Sequence, residues 1–530
     1  MKQIQLFDTT LRDGQQCPGA GMSHQHNLHY ASLAAQVGID TLEAGFPSAS
    51  KEDFRIVNDI AKQYSHLKSP PKVAALAQLK EAQLIQTMES LAPLDPSQAR
   101  IHLYLPVAPG LMTASLGNYA KNKGHIIKDT QRMIAMAQQQ GFEVEFSPEA
   151  YSQMAENFDF VSDLILAAVE SGATIINCPD TIGSACYWQG DDYFVNHMTQ
   201  HAELVKTQLP QHQVTWSVHC HNDFGMALDN SLRAVTQGPA TQIEGCFNGV
   251  GERAGNVALE QCIMAIKTFG QNSDIAPIYT QANSQYIKAI SDFVAHHMLP
   301  RQAHWPIAGD NVAKHSSGGH TNAILKDSHI YQPFAPDEVG QKISFAFGPL
   351  SGSNHAKKII EDHGYLCLTE EKTAITQFIK NQYSNRRKGL TDTELMSAYF
   401  SYRQPIKSLE FSHQKNGQLV VSSCLFGSDT QWTLEANEAT YLAAVKQQLE
   451  QELGKFSIQS YHSESTTSGI DSPAKAEIII QLSGQRYEGS ATHKDIQLAA
   501  ITALVNACNR WQIDNHYKQT QRPEIKEQQQ

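Results

Sequence analysis

The chain has 530 residues, 41% of them hydrophobic and 18% charged, which is too long for one hydrophobic core and too apolar for a disordered polymer. Acidic residues outnumber basic ones by 53 to 41, and the net charge of −12 disfavours a nucleic-acid partner and points to small molecules. No secretory apolar stretch opens the chain and no later segment reads as a membrane span, so the cytoplasm is the expected compartment, with no membrane partner.

In chain order, short apolar runs alternate with longer amphipathic segments over the first 270 residues, the rhythm of strands and crossover helices. Eight strands are predicted: Ile4–Leu6, Thr41–Ala44, Val73–Leu76, Ile101–Leu105, Val144–Phe146, Ile175–Cys178, Thr215–His219 and Gln242–Cys246. Helices are predicted at Asn27–Val37, Lys51–Tyr64, Lys123–Gln140, Phe158–Ser171, Asp192–Leu209 and Met226–Gln237. Eight such units close a TIM-like (β/α)8 barrel, with an open doubly wound sheet as the alternative. The barrel mouth then gathers Asp8, Arg12, Asp13, Glu43, His102, Glu149, Thr181, His219, His221 and Asn248 at or just past strand ends.

After about residue 270 the rhythm stops. A helical region runs through Pro300, the Gly/His/Ser-rich segment Ala308–Asn322 follows, and a short helix is predicted at Asn354–His363. Residues 370 to 400 read as a helical connector interrupted at the basic run Lys380–Lys388, which reads as a solvated face. Strand-like alternation then recurs at 406–434 and 455–490, with helices at Glu438–Leu453 and Lys494–Trp511, giving an α+β domain with weak internal duplication. The expected division is a barrel at 1–270, helical linker subdomains at 271–400, a regulatory-type domain at 401–515 and a disordered tail at 516–530.

His219 and His221 are two apart, which on a strand points both rings the same way and makes half of a divalent-metal site; the same spacing also suits two ordinary strand-end histidines. Asp13 could add an oxygen ligand, because barrel closure brings the first and last strands together. Nitrogen and oxygen donors together leave magnesium, manganese and zinc open. Arg12 is a permanent donor for an enolate or alkoxide oxygen, or a structural ion pair. Glu149 reads either as a pocket carboxylate or as a helix cap. Nine cysteines without Cys-x-x-Cys spacing exclude a disulfide framework or a four-cysteine zinc site. Nothing matches a Walker loop, a dinucleotide fingerprint or a G-x-S-x-G nucleophile elbow.

The segment Asp8-Thr9-Thr10-Leu11-Arg12-Asp13-Gly14 resembles the family of 2-isopropylmalate, homocitrate and citramalate synthases. Glu43–Pro47, His219–Asp223, Asn248–Asn256 and His315–Gly318 fit the same family, and the chain after 400 is similar to the allosteric domain of its 2-isopropylmalate members. The resemblance implies Asp13, His219 and His221 as metal ligands with Asn256 as a fourth, and Arg12 and Thr181 on substrate; His102, at the barrel mouth, is a further substrate-binding candidate. It further implies Glu149 as a catalytic carboxylate, and His315 and Tyr331 as residues delivered by a neighbouring subunit's linker in a homodimer. His315 is then the candidate for the proton relay at acetyl-CoA. The implied reaction joins acetyl-CoA to a 2-oxo acid: 2-oxoisovalerate first, pyruvate or 2-oxoglutarate as alternatives, with leucine as a feedback ligand. A metabolite sensor without turnover is the non-enzyme reading. Two departures stand out: His320-Thr321-Asn322-Ala323 replaces the family's His-Gln-Asp-Gly, and Gln153 stands where an arginine is common. If Glu143 or Glu145 faces the pocket, like charge disfavours 2-oxoglutarate.

Overall fold

The computed structural model describes residues 1–271, 276–385, 389–414, 418–425, 428–434, 440–465 and 472–518. Two compact units emerge: Met1–Ala313 with Gln332–Ile343, and Lys314–Tyr331 with the chain from Ser344 onward. Part of the predicted basic run, residues 386–388, and the tail from 519 lie outside the described residues.

The first unit is a closed parallel barrel of eight strands in chain order: β1 (Gln5–Asp8), β2 (Thr41–Glu43), β3 (Lys72–Gln78), β4 (Ala99–Pro106), β5 (Glu143–Glu149), β6 (Ile175–Asp180), β7 (Thr215–Cys220) and β8 (Gln242–Gly245). All eight predicted strands are present. Crossover helices cover the outside, and the first two show their local causes. In α1 (His24–Val37), Ser23 Oγ accepts from the His26 amide at the start, and Gly38 at φ 75° closes the end. In α2 (Lys51–Ser65), Ser50 caps the Asp53 amide, and Ile56, Val57, Ile60, Ala61 and Tyr64 form one buried stripe.

Alternation along the strands sorts side chains between two very different interiors. Ile101, Leu103, Val144, Phe146, Ile176, Val218 and Ile243 are fully buried in the main apolar core. The intervening positions on β4, β5, β7 and β8 are polar: Arg100 and His102, Glu143, Glu145 and Ser147, Ser217 and His219, Gln242 and Glu244. A barrel interior normally holds layers of branched apolar side chains. Here the lumen is a hydrogen-bonded polar column, an arrangement that costs stability unless every group is paired.

At the floor of that column Arg100 Nη1 donates to Glu145 Oε2 and Gln242 Oε1, both at 2.9 Å, while Arg100 Nε and Lys72 Nζ hold Glu143 at 2.7 and 2.9 Å. Gln242 Nε2 donates to Glu145 and to Ser217 Oγ. Glu143 and Glu145 are therefore structural residues of the floor and do not line the mouth, so the charge argument against 2-oxoglutarate falls. Burial and the neighbouring Glu244 push the Glu145 carboxyl well up, and burial likewise raises Glu244.

The second unit begins with short helices, α3 (Gly318–Ile324), α4 (Ser353–Asp362), α5 (Lys372–Gln382) and α6 (Asp392–Arg403). An α+β part follows. Strands β9 (Ile406–His413), β10 (Leu419–Leu425) and β11 (Ser428–Leu434) form one antiparallel sheet, and β12 (Ser457–Ser465), β13 (Ala474–Leu482) and β14 (Gln485–His493) another. Each sheet is followed by a helix, α7 (Tyr441–Leu453) and α8 (Ile496–Tyr517), the predicted duplication. Val421, Ile478, Ile480, Ile501 and Leu504 centre its core. Gly489 permits the close approach of β14 to α8, since a Cβ there would lie 2.1 Å from the Ala503 carbonyl oxygen.

Candidate active site

A cavity of about 240 Å³ opens at the carboxyl end of the barrel, lined by residues from the strand ends and the loops after them. Arg12, Asp13, His102, Glu149, Thr181, His219 and His221 line it, as the sequence predicts. Asp8, Glu43 and Asn248 do not. Asp8 turns away into the helix layer, accepting from Thr10 and from Tyr30 Oη at 2.6 Å. Asn248, at φ 58°, donates through Nδ2 to the Ser291 carbonyl, accepts from Ser291 Oγ, and donates its backbone amide to Glu260 Oε2, anchoring a loop instead of facing substrate.

Glu43 organises the centre. It is fully buried at the end of β2 and accepts three hydrogen bonds, from Thr9 Oγ1 (2.5 Å), Arg12 Nε (2.6 Å) and His102 Nδ1 (2.7 Å). Burial alone would raise its carboxyl, but Arg12 and His102 outweigh that and hold it at about 2. Arg12 Nη1 also reaches Asp13 at 2.6 Å, so two carboxylates fix the guanidinium and keep it charged. His102 is locked from its other side by Ser147 Oγ at 2.7 Å, which also accepts from Asn177 Nδ2.

Above this layer Asp13, His219 and His221 bring three ligand-type atoms within 4.8 Å of one another. His219 Nδ1 faces Glu244 Oε2 at 3.1 Å, which directs Nε2 to His221 Nε2, 3.3 Å away. Burial would raise Asp13, yet Arg12 and both histidines hold it well below the usual carboxylate range. Burial and the His219 ring lower His221 to about 4, so both imidazoles are neutral and can offer lone pairs at neutral pH.

Asn256 completes the cluster: its Nδ2 donates to Asp13 Oδ1 at 2.7 Å, and its Oδ1 is buried with no partner among the described residues. A carboxylate, two neutral imidazoles and an orphaned amide oxygen fit a divalent cation of intermediate hardness. A second group, His102, Glu145 and Glu244, is equally close, but its atoms are already engaged by Glu43, Ser147, Arg100, Gln242 and His219. Its side chains are tied into the floor network instead of converging on an open position.

The loop after β8 places Asn256 through its glycines. The Asn256 amide donates to the Gly249 carbonyl at 2.9 Å, and Gly255 sits at φ 84° where a Cβ would lie 1.9 Å from that oxygen. Arg253 clamps Asp223 through Nε and Nη2 and the Thr181 carbonyl at 2.7 Å, tying three loops of the rim together. Glu149 caps no helix; it lines the cavity, and burial raises its carboxyl against the opposing pull of Arg12.

His315 and Tyr331 belong to the second unit. His315 is buried with Nε2 unpartnered among the described residues, and burial and His320 lower its pKa. Tyr331, exposed at φ 62°, stacks on His320 at 3.9 Å between ring centroids. Sequence reasoning singled out neither His320 for chemistry nor Ser147, Asn177 and Glu244 in the barrel. The barrel residues carried a signal, since each is a polar residue on the lumen side of a strand otherwise rich in apolar residues.

The family models agree with this architecture. The HMGL-like family matches residues 3–294, the homocitrate synthase post-HMGL domain-like family residues 307–387, and the LeuA allosteric (dimerisation) domain residues 438–512. A 2-isopropylmalate synthase from Aquifex aeolicus is 30% identical over 99% of this chain and 99% of that protein, and one from Oceanobacillus iheyensis is 31% identical over 97% and 98%. The solved HMG-CoA lyase from Brucella melitensis matches with a TM-score of 0.44 at 14% identity, covering 56% of this chain and 99% of that one. The chain belongs to the 2-isopropylmalate synthase family.

Proposed function

We propose that the protein condenses acetyl-CoA with 2-oxoisovalerate to give 2-isopropylmalate and free CoA, the first committed step towards leucine. The observation that carries this reading is the Asp13–His219–His221 cluster beside a doubly anchored Arg12, at the mouth of a barrel whose sequence follows this family over its full length. The acetyl methyl group gives up a proton, its carbon bonds to the 2-oxo carbonyl carbon, the new alkoxide takes a proton, and water cleaves the thioester.

Asp13, His219 and His221, with Asn256 Oδ1 as a fourth donor, would hold Mn2+ or Mg2+, with Zn2+ as the alternative. When bound, such an ion polarises the 2-oxo group and stabilises negative charge on its oxygen. Arg12 adds a fixed donor: Nε and Nη1 are held by carboxylates, leaving Nη2 to meet the substrate oxygens. His102 and Thr181 orient the acid. His315, kept neutral by burial, is the proton acceptor from acetyl-CoA, with Glu149 and Tyr331 moving protons beside it.

In this reading residues 271–400 of one subunit complete the other's barrel in a homodimer, and 401–515 carry leucine feedback. Leu76, Tyr104 and Pro179 give the cavity an apolar wall, which suits an isopropyl group. Pyruvate, two carbons smaller, would underfill that wall; one missing carbon is worth roughly 10- to 200-fold in kcat/KM, so the preference should be at least that.

The test is product identification. With acetyl-CoA, 2-oxoisovalerate and manganese, mass spectrometry should detect 2-isopropylmalate in equal amount to released CoA, and chelation should stop both. CoA release without that product refutes the reading.

A further inference from the structure

Far along the chain from the barrel residues, the second unit holds a cavity of about 450 Å³, a size typical of small-molecule sites. It lies where the carboxyl end of α6, the start of β9 and the last turns of α8 meet. Asn509 pins this junction, its side chain giving to and accepting from the backbone of Ile406, both at 3.0 Å.

The lining is electrostatically one-sided. Arg403, Lys407 and His516 contribute cationic or proton-donating groups, and no aspartate or glutamate is among the described lining residues, in a chain that is acidic overall. Arg403 is held as a rigid plate: Glu371 takes both of its terminal amino groups, at 2.6 and 3.1 Å, and the Tyr517 ring lies 4.2 Å from its Cζ. Tyr402 and Tyr517 add aromatic faces. Two polar atoms in this wall are buried and unsatisfied among the described residues, Arg403 Nε and Gln512 Oε1. Such orphans are uncommon in folded proteins and call for a partner. Gln512 can turn its amide to the cavity through a soft terminal torsion.

We propose that this cavity binds a small hydroxycarboxylate. The cationic lining selects an anion, and the orphaned Arg403 Nε–H, left over while Glu371 holds both terminal amino groups, calls for an acceptor such as a carboxylate oxygen. The orphaned amide oxygen of Gln512 asks the ligand for a hydrogen-bond donor. An ammonium group would meet Lys407 with like charge, so the donor is a hydroxyl. The tyrosine rings take the short apolar body. Occupancy would bridge α6, β9 and α8, and so couple the helical and α+β parts of this unit through one ligand. The assignment is independent of the barrel's chemistry.

The probes are 2-hydroxyisovalerate, isovalerate and L-valine, which share one carbon skeleton and differ only in a hydroxyl, a hydrogen or an ammonium, together with inorganic phosphate. Calorimetric titration of the full chain with chelator present should show one saturable site for 2-hydroxyisovalerate, with Kd on the order of 1 mM or below. Binding should weaken about tenfold or more in the double variant Lys407→Ala/His516→Ala and in Gln512→Leu. Because Lys407 and His516 are exposed, that double variant keeps its fold and its basal CoA release. Isovalerate and valine should bind more weakly than the hydroxy acid. Identical isotherms in wild type and variants, or no saturation by about 10 mM, would overturn the site. Tighter binding of valine or phosphate would overturn the hydroxycarboxylate assignment.

Discussion

Replacing Glu43 with glutamine removes the one carboxylate that fixes both Arg12 and His102 while keeping its volume. The side chain is fully buried and accepts from Thr9, Arg12 and His102, and glutamine has a single acceptor oxygen to offer these three donors. Two routes give the magnitude. Breaking a buried ion pair by removing one partner costs about 3–5 kcal/mol. Holding the carboxyl at about 2 instead of its usual 4.5 corresponds independently to about 3 kcal/mol. Glu43→Gln should therefore lose about 3 kcal/mol in urea denaturation of the barrel unit. It should also lose about 100-fold in kcat/KM for CoA release, because Arg12 and His102 are released from their positions. A variant within about 0.5 kcal/mol and about threefold of wild type would refute the claim that Glu43 organises the site.

The same carboxylate sets a pH limit: a depressed pKa gives stability that is complete above about 4.5 and lost as pH falls towards about 2, and this acid loss should shrink in Glu43→Gln. His219→Ala should abolish metal-dependent turnover while circular dichroism and the unfolding transition of the barrel stay close to wild type; unchanged manganese affinity would remove His219 from the ligand set. Glu244→Gln should weaken metal binding roughly 10- to 100-fold, since Glu244 selects the His219 tautomer that presents Nε2; unchanged affinity would leave it a purely structural group. Gly255→Ala forces a Cβ against the Gly249 carbonyl at positive φ and should dislodge Asn256, costing well over about 1 kcal/mol and reducing metal affinity; wild-type behaviour would refute the loop argument.

The barrel was readable because its strands place apolar residues against the helices at every second position, and turn residues punctuate them. Their axial depth was not. Glu143 and Glu149 lie on the same face of one strand, yet they are separated by about 20 Å along it, which puts Glu143 on the floor and Glu149 at the mouth. Parity gives the direction of a side chain but not its height, which is why Glu143 and Glu145 were considered for the pocket. Asp8 failed for the complementary reason: it ends β1 on the helix side, where Tyr30 claims it. The ligand set was legible from His219 and His221 at their two-residue spacing, with Asp13 and Asn256 joined to them by motif. Glu244 was hidden because its role depends on the register that sets it beside His219 across two neighbouring strands.

The central claim, condensation of acetyl-CoA with 2-oxoisovalerate, is tested most directly by CoA release with manganese and three acids side by side: 2-oxoisovalerate, pyruvate and 2-oxoglutarate. The highest kcat/KM for 2-oxoisovalerate, abolished by Asp13→Asn, is the predicted result. Preference for another acid would contradict the substrate assignment, and binding of all three without turnover would make the protein a metabolite sensor.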